Sequence, residues 1–346
     1  MTKVALAMAV DLAPRTITQY ERGAQVPRDD TLGCIAAVLQ FPEVFFTRDD
    51  PDSPDVESAS FRAVSRMSAR TRDQALSLAA IAMDLAHWID RRFTTATPHV
   101  PQFPQVPPSL AAAALRREWD LGEAPLPHTI DLVEAHGIRV FSLPQDLVEV
   151  DANSFWRDGC PFVLLNRSKS TERSRFDIAH ELGHLTMHDG NSAHGKQAEK
   201  EANEFAAALM MPEADVAAYT PTAPTLAALT TVKRRWGVSL AALTHRLRKL
   251  NLLSEWQYRA LFIDMSSRGY RTNEPNGLPP ERSQLIDSII EICAQMGVTP
   301  YDIAQDLSIP VKDLTAMIFG FDLVIDRPNK NKPVVTAHPP DLRVID

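Results

Sequence analysis

His180-Glu181-Leu182-Gly183-His184 is the stretch on which the reading of this chain turns. On an α-helix, positions i and i+4 share a face, so both imidazoles can reach one ion while Glu181 projects beside it. A catalytic zinc takes three protein ligands, leaves its fourth position to water and lowers that water's pKa toward about 7. A neighbouring carboxylate can then take the proton as the water attacks a carbonyl. The helix reads from about Arg173 to His188, and Phe176, Ile178, Ala179, Leu182 and Leu185 give it an apolar stripe that draws the histidines toward the core. Just upstream lies the one clear β region, Ile138–Leu143, Ala152–Arg157 and Pro161–Asn166, with Asp158-Gly159 as a hairpin turn. Just downstream a second helix, from about Gln197 to Met211 and stopped by Pro212, carries Glu199 and Asn203 on one face. One of the two can bind the metal while the other steadies a ligand imidazole, and Glu199 is the stronger candidate for third ligand. Glu201 points roughly 200° away at about 100° per residue. His188, one turn beyond His184, is either a hydrogen-bonding group near the metal or a helix-end histidine favoured by the helix dipole.

These segments carry a family resemblance. Arg173-Ser-Arg175-Phe176-Asp-Ile-Ala-His180-Glu-Leu-Gly-His184-Leu-Thr-Met-His188 resembles the core motif of the ImmA/IrrE metallopeptidases, and Glu199-Lys-Glu-Ala-Asn203-Glu-Phe205 through Met211-Pro212 resembles that family's second motif. The similarity extends through His136-Gly137-Ile138-Arg139-Val140 on one side and Trp236-Gly-Val-Ser239 to Arg246-Leu247 on the other, over about residues 60–275. It implies a zincin-like domain in which His180, His184 and Glu199 hold one Zn2+ ion, with Mn2+ as a substitute, and Glu181 acts as base. It also implies a protein substrate, since some relatives cleave a transcriptional repressor. The strand Pro161–Asn166 is the expected partner for an extended substrate segment.

Toward the N-terminus, Pro14 opens a helical stretch that Gly23 closes. Thr16-Ile17-Thr18-Gln19-Tyr20-Glu21-Arg22-Gly23 with Pro27 resembles the Cro/C1-type (XRE) helix-turn-helix. That resemblance implies that Arg15, Thr16, Thr18 and Gln19 lie at base edges in the major groove of operator DNA. The pattern begins at the second helix of the motif, so either the start is placed one helix late or another segment covers Val4, Leu6 and Val10. Residues 1–46 carry four basic and five acidic side chains, a weak electrostatic footprint for DNA. A small protein-interaction module is the alternative.

The expected organisation is an incomplete helix-turn-helix at 1–46, an acidic linker at 47–60, the peptidase-like domain at 61–275, a helical, helix-turn-helix-like segment at 276–325 and a poorly ordered tail at 326–346. Five prolines between Pro98 and Pro108 make a stiff extended connection. Val232–Leu253 holds Lys233, Arg234, Arg235, Arg246, Arg248 and Lys249 with no acidic residue between Asp215 and Glu255, the strongest basic patch in the chain. Ile303–Gly320 has the two-helix-and-turn form with little positive charge, and reads as a docking or homodimerisation element. No fixed-period repeat is evident.

Composition narrows the rest. The 346 residues carry Lys+Arg 36 against Asp+Glu 44, a formal charge of −8, so general nucleic-acid affinity is excluded and any DNA contact must be local. Cys34, Cys160 and Cys293 are odd in number and far apart, which fits a reducing cytoplasm. No apolar run reaches the roughly 18–20 residues of a membrane span, and the short apolar start, Val4–Val10, ends at Asp11 as a helix does rather than as a signal peptide. The fold class is α+β, predominantly helical. The expected function is a cytoplasmic regulator joining DNA binding to a zinc endopeptidase that cuts a partner such as a helix-turn-helix repressor. The alternative is a non-catalytic, antitoxin-like regulator whose peptidase-like domain senses a signal or binds a partner.

Overall fold

The computed structural model describes residues 1–49, 69–144, 152–188, 195–319 and 343–344. The acidic linker thus lies almost wholly outside the described residues, as does the tail apart from Arg343–Val344. The chain forms two compact units, one of Met1–Asp52 with Ile289–Val324 and one of Ser53–Ser288 with Ile325–Asp346.

The first unit begins with three helices, α1 (Lys3–Ala9), α2 (Pro14–Glu21) and α3 (Asp29–Leu39), followed by a 3-10 turn at Glu43–Phe46. Pro14 occupies the first turn of α2, where its missing N–H costs no hydrogen bond. Ala7, Ile17 and Ile35 form the buried centre, with Leu6, Val10, Leu12, Tyr20, Leu39 and Phe46 packed around it. The apolar face of α1 is therefore split: Leu6 and Val10 are partly covered, whereas Val4 and Met8 are exposed.

The larger unit places its chemistry on a mixed sheet covered by helices. Its elements are α4 (Ala69–Asp90), β1 (Phe93–Thr94), α5 (Pro108–Glu118), α6 (Thr129–Ala135), β2 (Arg139–Leu143), β3 (Ala152–Arg157), β4 (Cys160–Asn166), α7 (Thr171–Met187), α8 (Lys196–Met210), α9 (Glu213–Tyr219), α10 (Leu226–Trp236), α11 (Leu240–Lys249) and α12 (Glu255–Ser267). Asp158 and Gly159 both take positive φ, 48° and 75°, the twist that a two-residue hairpin loop needs, so β3 folds back on β4. Strand order is β2-β4-β3, with β4 parallel to β2 and antiparallel to β3. That corrects the expected role of Pro161–Asn166: both edges of β4 are already paired, and a central strand has no backbone groups left for a substrate. Within the three-stranded sheet the edge strand next to α7 is β3. Of the tail, β5 (Arg343–Val344) is described, and it pairs antiparallel with β1.

The proline-rich stretch is packed rather than free. Gln102 Nε2 donates to the Leu185 carbonyl at 2.7 Å and Phe103 N to the Thr186 carbonyl at 2.6 Å, so this segment satisfies carbonyls that the end of α7 leaves open. The other end of α7 is capped by the Ser170 hydroxyl, which accepts from Arg173 N. Beyond it lies a buried ion network. Lys233 Nζ, fully buried, donates to Glu172 Oε1 at 3.0 Å and Glu274 Oε1 at 2.9 Å. Glu172 also accepts from Leu278 N, Glu274 from Leu240 N, and Arg175 pairs with Glu281.

The chain then runs through α13 (Gln284–Gln295), within which the boundary between the units falls, to α14 (Pro300–Asp306) and α15 (Val311–Met317) in the first unit. Arg48 Nη1 donates to the Leu307 carbonyl at 3.0 Å and Lys312 Nζ to Gln40 Oε1 at 2.6 Å, so these C-terminal helices fold with the N-terminal ones. They also repeat them. Thr2 and Thr299 cap seven-residue helices by accepting from Ala5 N and Asp302 N. Asp11 and Ser308 turn the chain at φ 52° and 56°. Leu12 N donates to Ala7 O at 2.8 Å and Ile309 N to Ala304 O at 2.9 Å. Ile17 and Leu314 are buried at equivalent places, and the Thr18 and Thr315 hydroxyls donate back to Pro14 O and Val311 O. A single copy at each end of the chain makes no fixed-period repeat.

Candidate metal centre

Helix α7 sets the site. His180 and His184 lie one turn apart, their rings in an edge contact at 4.8 Å, with the two Nε2 atoms 3.1 Å apart. Helix α8 crosses beside them because Gly183 lets it approach: a Cβ there would sit 3.0 Å from Phe205 Cδ1 and 3.2 Å from Ala202 Cα. That crossing brings Glu199 to 3.4 Å from His180 Nε2 and 3.5 Å from His184 Nε2. The three ligand atoms lie within 4.8 Å of one another. A tetrahedral zinc with bonds of about 2.0–2.1 Å holds its ligand atoms about 3.3 Å apart, so the donor set fits such an ion in both chemistry and spacing.

The electrostatics agree with that spacing. The hydrogen bonds from His180 and His184 hold the Glu199 carboxyl well below the usual carboxylate range, against the opposing effect of burial. Burial works against a charged His180, but Glu199 and then Glu181 outweigh it and lift the imidazole above its ordinary value. Two imidazoles and a carboxylate crowd one point, with His184 buried and Glu199 still open to solvent, and a cation there would relieve the arrangement.

Glu181, buried, is held in place from the sheet: Ser154 Oγ donates to its Oε2 at 2.7 Å and approaches its backbone carbonyl at 3.3 Å. Sequence reasoning missed Ser154. Its only signal is a hydroxyl at an inward position of β3, opposite Val163 of β4. Asn203 does not steady an imidazole; its Nδ2 donates to the Glu199 backbone carbonyl at 2.7 Å, because residues i and i+4 of one helix meet each other first. The imidazole of His184 is met instead by His188, Nδ1 to Nδ1 at 3.0 Å, and His188 Nε2 lies 3.1 Å from Glu201 Oε2. Glu201, set aside from the sequence because it points away from Glu199, is thus drawn into the cluster.

Residues 133–248 match the IrrE N-terminal-like domain. No curated protein matches the chain. The matched residues make this part of the larger unit a peptidase-like, IrrE-like domain, and they run from α6 to α11 through the whole sheet and every residue of the cluster. Among the described residues no other group of three metal-ligating side chains forms, and no helix is long and apolar enough to cross a membrane.

The basic stretch that closes the IrrE-like domain is not a patch. Lys233 is buried between two carboxylates, Arg235 pairs with Asp215 at 2.6 Å and lies over the Tyr219 ring, and Arg246 is buried with its Nε on the Met211 carbonyl. Arg248 and Lys249 pair with Glu255 and Glu204. Lys233, Arg235, Arg248 and Lys249 are thus paired with acids, Arg246 is taken up by a backbone carbonyl, and Arg234 is exposed. In the first unit, Arg15 on α2 is exposed, while Thr16, Thr18 and Gln19 are half-buried.

Proposed function

We propose that the chain is a regulator whose IrrE-like domain is a zinc-dependent endopeptidase acting on a partner protein, a helix-turn-helix repressor being the partner class that its motif points to. The observation that carries this reading is the three-atom cluster of His180, His184 and Glu199 beside a Glu181 already oriented by Ser154. Mn2+ has the same donor set open to it. Zinc, when bound, supplies Lewis acidity toward water and toward the scissile carbonyl. Glu181 takes the proton from the attacking water and later delivers it to the leaving amine, with Ser154 keeping the accepting oxygen aimed. Substrate backbone is best received along β3, the edge strand next to α7. The first unit supplies operator recognition through Arg15, Thr16, Thr18 and Gln19 of α2.

The test uses protein stripped with chelator and titrated with Zn2+. The wild type should bind one ion, His184→Ala none, and Glu181→Gln one. Incubated with the helix-turn-helix proteins encoded beside its own gene, the zinc-loaded wild type should create one new N-terminus in one of them, and Glu181→Gln none. A stripped protein that regains no zinc removes the metal assignment. Cleavage by Glu181→Gln at the wild-type rate removes the catalytic one.

A further inference from the structure

Each nitrogen of His184 has a partner. Its Nε2 faces His180 Nε2 and Glu199, and its Nδ1 lies 3.0 Å from the Nδ1 of His188. Two ring nitrogens make a hydrogen bond only when one carries the proton and the other offers its lone pair. A metal on Nε2 leaves His184 its proton at Nδ1, so His184 donates and His188 Nδ1 accepts. The proton of neutral His188 is then on Nε2, where Glu201 Oε2 receives it at 3.1 Å. The other oxygen of Glu201 accepts from Gln197 Nε2 at 2.6 Å, which fixes the carboxylate at the outer end. His184 and His188 are 2% and 5% exposed, so water cannot readily replace either partner.

We infer that His188 and Glu201 are positioning residues for the metal centre, a two-member relay that sets the tautomer and ring orientation of His184. A ligand histidine more commonly passes its second N–H straight to a carboxylate, a backbone carbonyl or water. Here an imidazole stands between ligand and carboxylate. One helix, α8, thereby fixes His184 from both sides, through Glu199 at Nε2 and through Glu201 and His188 at Nδ1. A slide of α8 along α7 would disturb both together. The inference rests on the metal reading above and adds residues which that reading does not need.

Co2+ is the probe, because its visible absorption reports both affinity and ligand geometry. Compared with wild type, Glu201→Leu and His188→Phe should weaken Co2+ binding about 10- to 100-fold. The absorption band of whatever Co2+ they bind should also change shape. Glu201→Gln, which keeps an accepting oxygen, should recover most of the loss. Glu201 is partly exposed, so Glu201→Leu should melt within a few degrees of wild type in chelator even if His188→Phe does not fold. Wild-type affinity and spectrum in Glu201→Leu would overturn the relay, as would a Glu201→Gln variant that recovers nothing. A wild type that binds no Co2+ would instead overturn the metal reading, and the relay with it.

Discussion

Replacing Lys233 by methionine isolates what the ion network beneath α7 contributes. Methionine keeps most of the apolar stem, so packing is largely preserved and the charge is what disappears. Lys233 is 0% exposed and Glu172 1%, with Nζ–O distances of 3.0 and 2.9 Å to Glu172 and Glu274. Removing one member of a buried ion pair costs about 3–5 kcal/mol, because the partner remains as an uncompensated charge. Each carboxylate here keeps one backbone donor, Leu278 N at 3.1 Å for Glu172 and Leu240 N at 2.9 Å for Glu274. The loss should therefore fall at the lower end, about 3 kcal/mol. Urea unfolding followed by fluorescence of the buried Trp236 would read it as a lower midpoint with an unchanged slope. Adding Glu172→Gln should restore about half, since one of the two stranded charges is then gone. A loss below about 1 kcal/mol, or a double variant less stable than Lys233→Met alone, would refute the account of the network as a mutually dependent set.

Two further outcomes are expected. Burial pushes the Glu134 carboxyl up to about 8, with the Ser283 hydroxyl on Oε1 opposing and Oε2 left without a hydrogen-bond partner, as suits a protonated acid. The folded state then keeps a proton that the unfolded chain releases, so stability should fall by a few kcal/mol as pH rises from about 4.5 to about 8. Glu134→Gln should flatten that slope in unfolding measured across the range, and a slope equal to wild type would contradict it. Gly183→Ala should cost about 1–3 kcal/mol and weaken zinc binding, because its Cβ meets Ala202 backbone at 3.2 Å and pushes away the helix that carries Glu199. Thermal melts with chelator and with zinc separate the two effects, and an unchanged metal affinity would show that α8 tolerates the shift.

The parts of the site that were legible in the sequence are those fixed by one helix's own period. His180 and His184 share a face whatever surrounds them, and Glu199 sits where the next helix begins. Glu201 was not legible, because a helical wheel gives angles about one axis and says nothing of where a second helix crosses. Its side chain meets His188, not the metal ligands themselves. Ser154 was hidden for a similar reason, since strand register, not residue type, sets it opposite Glu181. The role of β4 was misjudged because its parallel pairing with β2 is a long-range event. The basic stretch at Val232–Leu253 looked like a surface because its acidic partners, Glu172, Glu204 and Asp215 among them, lie far off in sequence. The two-helix-and-turn form was legible at both ends of the chain, but the likeness of the two copies was not, because residues 2–20 and 299–317 share little beyond Thr2 with Thr299, Ala7 with Ala304 and Thr18 with Thr315. What they keep in common is a cap, a left-handed turn and buried positions, which tolerate many residue types.

The order of the units along the chain limits how the protein can be taken apart. Met1–Asp52 and Ile289–Val324 build the first unit and Ser53–Ser288 and Ile325–Asp346 the second, so segments of the two alternate along the chain. Shortening the chain from its start removes part of the first unit, and shortening it from its end removes Ile325–Asp346 of the second unit and then Ile289–Val324 of the first, so trimming frees neither unit whole. A single nick between the units would leave every piece of the first unit still bound by its own core, so a cut there need not act as a release.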